Sequence, residues 1–202
     1  MSFIGNDSRE LHIDDMRRIG VGKRFWGVTL DQIPDSGKYK EELKRYLENL
    51  SSNIKGGVGL LFYGDYRQGK TSAATILAKA VVAHGGTAFF IRSDDLVGSM
   101  IEKKPFDADQ TVMERIEAVD LLIIDDVGSE HVGKSQFNSS LLERLVRHRY
   151  DNKKVLIITV NLQPNKLAEA YGEGTLKVMK SMMRLVRVDG THWYEDEIKG
   201  IK

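Results

Sequence analysis

The stretch "GDYRQGKTS" (residues 64–72) fits the pattern G-x-x-x-x-G-K-[ST]. It follows the apolar run "GLLFY" (59–63) and precedes a helical pattern over 70–83 that ends at a pair of glycines. Between a strand and a helix, the backbone N–H groups of such a loop wrap phosphates at the helix N-terminus. The sequence therefore predicts a site for a nucleoside triphosphate, which we expect to be ATP. The residues expected to contact the nucleotide are Gly64, Asp65, Tyr66, Arg67, Gln68, Gly69, Lys70, Thr71 and Ser72.

Three side chains of this loop have distinct expected roles. Lys70 places a positive charge on the β- and γ-phosphates, and the hydroxyl of Thr71 is available to Mg²⁺. Arg67 stands where many such loops have glycine. Either its backbone tolerates the conformation of the loop, or its side chain reaches for phosphate or nucleic acid.

Apolar runs of strand length alternate with helical patterns along the chain. The runs lie at 59–63, 88–91, 121–124, 155–160 and 185–188, and the helical patterns at 70–83, 93–101, 109–118, 134–150 and 163–183. Continuous apolar strands between helices are typical of a parallel sheet that is covered on both faces, so the predicted fold class is α/β.

We expect three regions. Residues 1–36 form an N-terminal arm with one short helix near 13–19, residues 37–190 form the core, and residues 191–202 form a tail. This tail is too short for a large C-terminal lid domain. A single helix opens the core, because apolar residues recur there at helical spacing. These residues are Tyr39, Leu43, Tyr46, Leu47, Leu50 and Ile54.

Two carboxylates follow the apolar strand in "LLIIDDVG" (121–128). The carboxyl end of a buried parallel strand is where ligands of open α/β sheets bind. Asp125 is therefore expected to hold Mg²⁺, and Asp126 to orient or deprotonate the attacking water. The alternative is a strand that ends in an ordinary polar turn.

Asn161 ends a later strand in "VLIITVN" (155–161). A polar side chain at this position would lie beside the acidic strand and contact the water or the γ-phosphate. The alternative is an N-cap for the helix that follows, and one residue can fill both roles.

Composition limits the classes of function. The chain has 202 residues, no cysteine and a net charge of +1. The absence of cysteine excludes disulfides and thiolate metal sites and favours a reducing cytoplasm. No apolar run approaches the roughly 20 residues that span a bilayer, and no signal pattern opens the sequence, so we expect no membrane partner. With so little net charge, contact with nucleic acid has to come from local basic clusters.

Four stretches carry a resemblance to a known family: "YGDYRQGKT", "LLIIDDVG", "LVRHRYDNKKVLIITVN" and "MKSMMRLVRV". They resemble the AAA+ ATPases of the DnaC-type helicase loader group and the related IstB-type transposition ATPases. The resemblance implies a P-loop NTPase fold with a five-stranded sheet, in which the acidic strand lies beside the strand that Asn161 terminates. It also implies an ATP-dependent homo-oligomer on single-stranded DNA, with a replicative helicase as partner.

The family shares each ATP between two subunits, and a neighbour contributes an arginine from a helix after the Asn161 strand. The family pattern is like R-x-x-x-R-L, and "KSMMRL" supplies Lys180 and Arg184 here. Since lysine replaces the first arginine, Arg184 is the expected trans-acting or sensing residue. Arg147 and Arg149 are weaker candidates, because their helix has an ordinary amphipathic pattern.

Two departures from the family have consequences. Most AAA+ proteins place glutamate where Asp126 stands, and the shorter side chain predicts slow hydrolysis unless the backbone moves forward to compensate. Loaders usually carry a separate N-terminal domain that grips the helicase, whereas an arm of residues 1–36 precedes the core here. Either the arm does the gripping or the partner differs.

Basic residues interleaved with aromatics suit single strands, through phosphate contacts and base stacking. Three clusters fit, and the loop that begins at residue 103 is the favoured DNA contact. The basic residues are Arg17, Arg18, Lys23 and Arg24; Lys103 and Lys104; and Lys177, Lys180, Arg184 and Arg187.

Three functions compete on this sequence. The first is a helicase-loader-like switch ATPase in DNA replication, the second is a transposition regulator of the same fold, and the third is a P-loop small-molecule kinase. The kinase is less favoured, because the sequence contains no convincing arginine-rich lid.

Overall fold

The computed structural model describes residues 9–33, 38–101, 112–128 and 136–189. Its strands are β1 (Gly59–Tyr63), β2 (Ala88–Arg92), β3 (Leu121–Val127), β4 (Val155–Val160) and β5 (Met183–Arg187). They pair in the order β2-β3-β4-β1-β5, and every pair is parallel. The α/β class and the five-stranded parallel sheet are therefore confirmed, and the acidic strand β3 lies beside β4.

Helices connect the strands, as crossovers between parallel strands require. Over the described residues they are α1 (Ile13–Ile19), α2 (Lys38–Glu48), α3 (Leu50–Gly56), α4 (Lys70–Ala83), α5 (Ser93–Ile101), α6 (Val112–Ala118), α7 (Gln136–Asp151), α8 (Pro164–Tyr171) and α9 (Glu173–Met182). Helix α4 joins β1 to β2 and begins inside the predicted phosphate loop.

Both faces of the sheet are buried. In β1, Leu60 and Phe62 pack with helices α1 to α4, whereas Leu61 packs with the helices on the opposite face, α5 to α9. Successive strand residues point to opposite faces, so each strand fills two hydrophobic clusters. This double burial explains why the strands read as continuous apolar runs rather than as alternating ones.

The two long helices predicted from the sequence are each broken. Asn49 (φ −108°, ψ 22°) separates α2 from α3, and Gly172 (φ +88°, ψ 145°) separates α8 from α9. Neither residue has helical dihedrals, and the conformation of Gly172 is one that side chains disfavour. The apolar periodicity continues across both breaks, so the pattern alone did not reveal them.

The N-terminal arm packs on the core. Helix α1 matches the predicted helix, and Met16 and Ile19 are buried in the same cluster as α4. The Nζ atom of Lys79 on α4 donates hydrogen bonds to the carbonyls of Trp26 and Val28, each at 2.8 Å. The predicted tail 191–202 lies outside the described residues. No helix in the described ranges is long and apolar enough to cross a membrane.

Candidate active site

The phosphate loop leaves β1 at Gly64 and enters α4 at Lys70. Gly64 has φ +146°, and a Cβ there would lie 2.2 Å from the carbonyl oxygen of Val188. Gly69 has φ +96° and caps α4. Both glycines of the sequence pattern are therefore required by backbone geometry, one by close approach and one by its left-handed conformation.

Arg67 also adopts a left-handed conformation, with φ 61°. This is the conformation that glycine would favour, so the backbone of Arg67 tolerates what most such loops assign to glycine. The Oε1 atom of Gln68 accepts a hydrogen bond from the N–H of Asp65 at 3.0 Å and braces the turn. Residues 66–71 line the adjoining cavity, and Ser72 is buried in the first turn of α4.

Lys70 is held beneath the loop, with 7% of its surface exposed. Its Nζ atom donates to the carbonyls of Gly64 at 2.8 Å and Asp65 at 2.5 Å. Burial lowers the pKa of this amine, and the nearby carboxylates, Asp126 foremost, oppose the shift. A buried cation beside a cavity is a ready partner for an anionic ligand.

Thr71 and Asp125 face each other across the base of the cavity. The Thr71 hydroxyl donates to the carboxylate of Asp125, lying 3.1 and 3.2 Å from its two oxygens. Burial raises the pKa of Asp125, and the hydrogen bonds from Thr159 and Thr71 act against this rise. Hydroxyl and carboxylate oxygens are the ligands that Mg²⁺ prefers, so this pair fits the predicted metal site.

Asp126 lies between two partners. The Nδ2 atom of Asn161 donates a hydrogen bond to Oδ1 of Asp126, and a guanidinium nitrogen of Arg92 lies 3.9 Å from Oδ2. Asp126 has φ 61°, and β3 slips its register against β4 at this point. The structure thus brings Asp126 and Asn161 together, as their positions at neighbouring strand ends predicted.

Two polar residues of the site were missed in the sequence. Thr159 lies within the apolar run of β4, and Arg92 ends β2. Threonine is common in β-strands, so a single threonine in this run did not indicate a functional role. The basic residue after "AFFI" was a weak signal for Arg92, which also lies 3.6 Å from a carboxylate oxygen of Asp94.

These groups surround one cavity of about 760 Å³. Its polar floor comes from the phosphate loop and from the carboxyl ends of β3 and β4. Its other wall comes from the arm and β2. The lining includes Gly20, Gly22, Arg24, Phe25, Lys70, Thr71, Phe90, Arg92, Asp125, Asp126, Thr159 and Asn161.

Arg184 does not lie where the resemblance placed it. It belongs to the edge strand β5 rather than to a helix, and it does not line the cavity of its own chain. It is exposed near Tyr46, whose pKa its charge lowers slightly against a larger rise from burial. The helical prediction is wrong because Met182, the last residue of α9, and Met183, the first residue of β5, continue the apolar pattern without a breaker. A role in a second copy stays a prediction.

The other basic candidates have different surroundings. Lys180 is exposed in the last turn of α9. Arg147 is exposed and pairs with Glu143 at 2.8 Å. Arg149 is fully buried, so its prediction as a trans-acting residue on a charged helix face is wrong.

The predicted DNA clusters are only partly described. Arg17 pairs with Asp14 at 2.9 Å, and Arg24 lines the cavity. Strand alternation places Arg184 and Arg187 on opposite faces of the sheet, so the last cluster is divided. The favoured loop with Lys103 and Lys104 lies outside the described residues.

Sequence comparison identifies relatives of this chain. Residues 30–187 match the family described as IstB-like ATP binding protein. The chain is 29% identical over 133 residues to an insertion sequence ATP-binding protein of Sinorhizobium fredii, a match that covers 66% of this chain and 41% of that protein. The matched region thus spans about two fifths of the length of that curated relative.

Several solved structures have the same fold. A DnaC helicase loader matches with a TM-score of 0.72 and 24% identity, over 83% of this chain and 100% of that one. DnaI matches with a TM-score of 0.72 and 14% identity, over 86% and 94%. The initiator DnaA bound to AMPPCP and single-stranded DNA matches with a TM-score of 0.66 and 22% identity, over 85% and 54%. At these identities the likeness establishes the fold alone.

The resemblance found in the sequence is therefore confirmed. A P-loop of AAA+ type, an acidic pair at the end of β3 and a family match over residues 30–187 agree with one another. This chain belongs to the family of IstB-like ATP binding proteins.

Proposed function

We propose that this chain is an ATP-hydrolysing switch that acts on single-stranded DNA. The observation that carries the proposal is the convergence on one cavity of Lys70, the Thr71–Asp125 pair and the Asp126–Asn161 pair. A cation for phosphate, oxygen ligands for a metal and a carboxylate for water are the parts that phosphoryl transfer needs. Membership of an ATP-binding family supports ATP as the nucleotide.

The loop binds the triphosphate through its backbone and through Lys70. Its N–H groups face the phosphates at the N-terminus of α4, where the helix dipole favours negative charge. The amine of Lys70 is already tethered to two loop carbonyls, so little side-chain entropy remains to be lost on binding. Phosphate oxygens then supply the negative charge that favours the protonated amine.

Thr71 and Asp125 are the residues that would hold Mg²⁺. When bound, the ion neutralises charge on the β- and γ-phosphates. The described residues contain no cluster of three or more His, Cys, Asp or Glu side chains suited to a metal. Phosphate oxygens and water would supply the remaining ligands, as is usual for Mg²⁺ at nucleotides.

Asp126 is placed to act on water. Its carboxylate accepts a proton from the attacking water as the new oxygen–phosphorus bond forms and the bond to ADP breaks. The amide of Asn161, bonded to Oδ1 of Asp126, fixes the carboxylate and contacts the water or the γ-phosphate. Hydrolysis by the isolated chain is slow, because a second copy supplies Arg184 only on assembly.

Catalysis and binding are separated by Asp126→Asn. We expect this variant to bind ATP as the parent does, because Lys70 and the loop are intact, and to release phosphate about a hundredfold more slowly. Calorimetry and steady-state phosphate release, with and without single-stranded DNA, test both parts. Unchanged phosphate release by the variant would contradict the role of Asp126, and transfer of phosphate to nucleosides would favour a kinase.

The partner is proposed to be a replicative helicase. The fold shared with a DnaC helicase loader supports this choice, and the sequence relative from an insertion sequence supports a transposase instead. A pull-down with the Asp126→Asn protein and ATP separates the two. Recovery of a replicative helicase supports the loader, and recovery of a transposase supports the transposition regulator.

A further inference from the structure

The register between β3 and β4 contains a bulge at the two aspartates. Ile124 pairs with Ile158, and Val127 pairs with Val160. Asp125 and Asp126 therefore stand opposite one residue of β4, Thr159. One extra residue on one strand is the definition of a β-bulge, a device that re-aims side chains near active sites.

The bulge solves a geometric problem. In a regular strand, consecutive side chains point to opposite faces of the sheet, so adjacent aspartates would not serve one cavity. Here Asp126 has φ 61°, and both carboxylates line the same cavity. The left-handed conformation is uncommon for residues other than glycine, although aspartate is among those that tolerate it. A specific contact has to hold it in place.

Thr159 supplies that contact through a single hydroxyl group. Its Oγ1 atom accepts a hydrogen bond from the backbone N–H of Asp126 at 2.9 Å and donates one to Oδ1 of Asp125 at 2.6 Å. The residue is 1% exposed, so water cannot replace either bond without rearrangement. The donor and the acceptor capacity of the hydroxyl are thus divided between the two aspartates.

We propose that Thr159 is a positioning residue for hydrolysis, which pins the bulge so that Asp126 meets Asn161 while Asp125 stays with Thr71. The inference rests on the proposed ATPase function. It also provides the backbone adjustment that an aspartate, one methylene shorter than glutamate, needs at this position. Without the hydroxyl, the partly buried N–H of Asp126 loses its acceptor and the strand relaxes toward regular pairing.

Thr159→Val keeps the shape of the side chain and removes both hydrogen bonds. We expect kcat for phosphate release at saturating ATP and Mg²⁺ to fall about a hundredfold, on the scale of a 1 Å misplacement, while ATP affinity is retained. Thr159→Ser keeps the hydroxyl and should restore the rate. Hydrogen exchange at the amide of Asp126 should be faster in Thr159→Val and as slow as in the parent in Thr159→Ser.

The matched control is Thr75→Val. The Thr75 hydroxyl is also buried, but it donates only to the carbonyl of Thr71 within α4, so the parent rate is expected. Should Thr159→Val fail to fold, Thr159→Ala takes its place with the same expectation. Parent-like kcat or parent-like amide exchange in the variant overturns the inference. A parent protein that neither binds nor hydrolyses ATP contradicts the proposed function instead, and the exchange measurement still decides on Thr159.

Discussion

At the carboxyl ends of the strands, Lys70 is 7% exposed and lies in a cavity; at the amino ends, Arg149 is fully buried beneath the helices. Arg149 donates four hydrogen bonds, at 2.5 to 3.1 Å, to the carbonyls of Ile116, Val119, Asp120 and Val155. Burial lowers its pKa to about 10, and Asp120 opposes the shift. All four acceptors are backbone carbonyls, so the side chain of Arg149 connects segments of the fold instead of facing a ligand site.

The difference between these two cations separates binding from architecture. Lys70 bonds to carbonyls of a loop that borders an open cavity, so an anionic ligand can share its amine. Arg149 does not line that cavity, and its partners come from α6, from the connection between α6 and β3, and from β4. A buried charge indicates a ligand site only where its partners leave room for one.

The largest effect is expected from Arg149→Met. It leaves several buried carbonyls without donors, and we expect a loss of about 3–5 kcal/mol in the free energy of unfolding. Denaturant titration measures it. Arg147→Met on the same helix removes only an exposed pair with Glu143 and should cost less than about 1 kcal/mol. If both variants lowered the free energy of unfolding equally, the structural role assigned to Arg149 would be wrong.

Lys70→Ala should weaken ATP binding and have little effect on the stability of the fold. We expect ATP affinity to fall at least about a hundredfold, which is roughly 2.7 kcal/mol, because the cation under the phosphates is gone. The free energy of unfolding should change little, because the loss of two hydrogen bonds to loop carbonyls is offset by the removal of a buried amine. Calorimetry with ATP and denaturant titration check the two parts.

Lys79→Ala is the control for Lys70→Ala, because both lysines lie on α4 and donate to two carbonyls. Lys79 donates its hydrogen bonds to the N-terminal arm and not to the phosphate loop. Its loss should therefore lower the free energy of unfolding by about 1–2 kcal/mol and leave ATP affinity unchanged. If Lys70→Ala binds ATP as tightly as the parent, the phosphate loop has been misassigned.

Arg184→Ala tests whether a cation near the amino ends of the strands contributes to the nucleotide site of a neighbouring copy. If Arg184 reaches the site of a second copy, the variant should bind ATP normally and lose at least about tenfold of the DNA-stimulated rate. Mixing it with Lys70→Ala protein should recover part of that rate. In such a mixture, the intact phosphate site of an Arg184→Ala copy can lie beside the intact Arg184 of a Lys70→Ala copy. Lys166→Ala is the control, because Lys166 is an exposed cation on α8 that pairs with Glu169 and belongs to none of the predicted DNA clusters. Full stimulation of Arg184→Ala alone would remove this residue from the site.

The smallest effect is expected at the carboxylate Asp120. It accepts hydrogen bonds from the N–H and the hydroxyl of Thr87, both at 2.8 Å. Asp120→Ala should lower the free energy of unfolding by about 1 kcal/mol without altering ATP hydrolysis. Thr87→Val should cost a similar amount, and the double variant should cost little more. A loss of hydrolysis in Asp120→Ala would show that the two ends are coupled.

Much of the fold followed from the sequence because the strands are buried on both faces. Four strands begin where the apolar runs begin, and β2 and β3 extend one and three residues further. Local chemistry also placed Asp125, Asp126 and Asn161 correctly at strand ends. These features depend on residues that are neighbours in the chain.

What was missed depends on residues that are distant in the chain. In the sequence Arg149 looks like one more charge on an amphipathic helix, because its partners in α6, in the connection to β3 and in β4 come together only in the fold. Thr159 acquires its role only through the bulge of β3 beside it. Arg184 was misplaced because the boundary between α9 and β5 has neither glycine nor proline to mark it.

The position of β1 has a consequence for how the chain assembles. This strand, which carries the phosphate loop, pairs with β4 on one side and with β5 on the other. Both partners are encoded late, so loop closure over a long separation precedes completion of this part of the sheet. During synthesis from the N-terminus, the phosphate loop is therefore made well before β4 and β5, the strands that flank β1. Nucleotide binding is thus among the last abilities that the folding chain acquires, and a chain halted before β5 carries the loop without the strand that backs it.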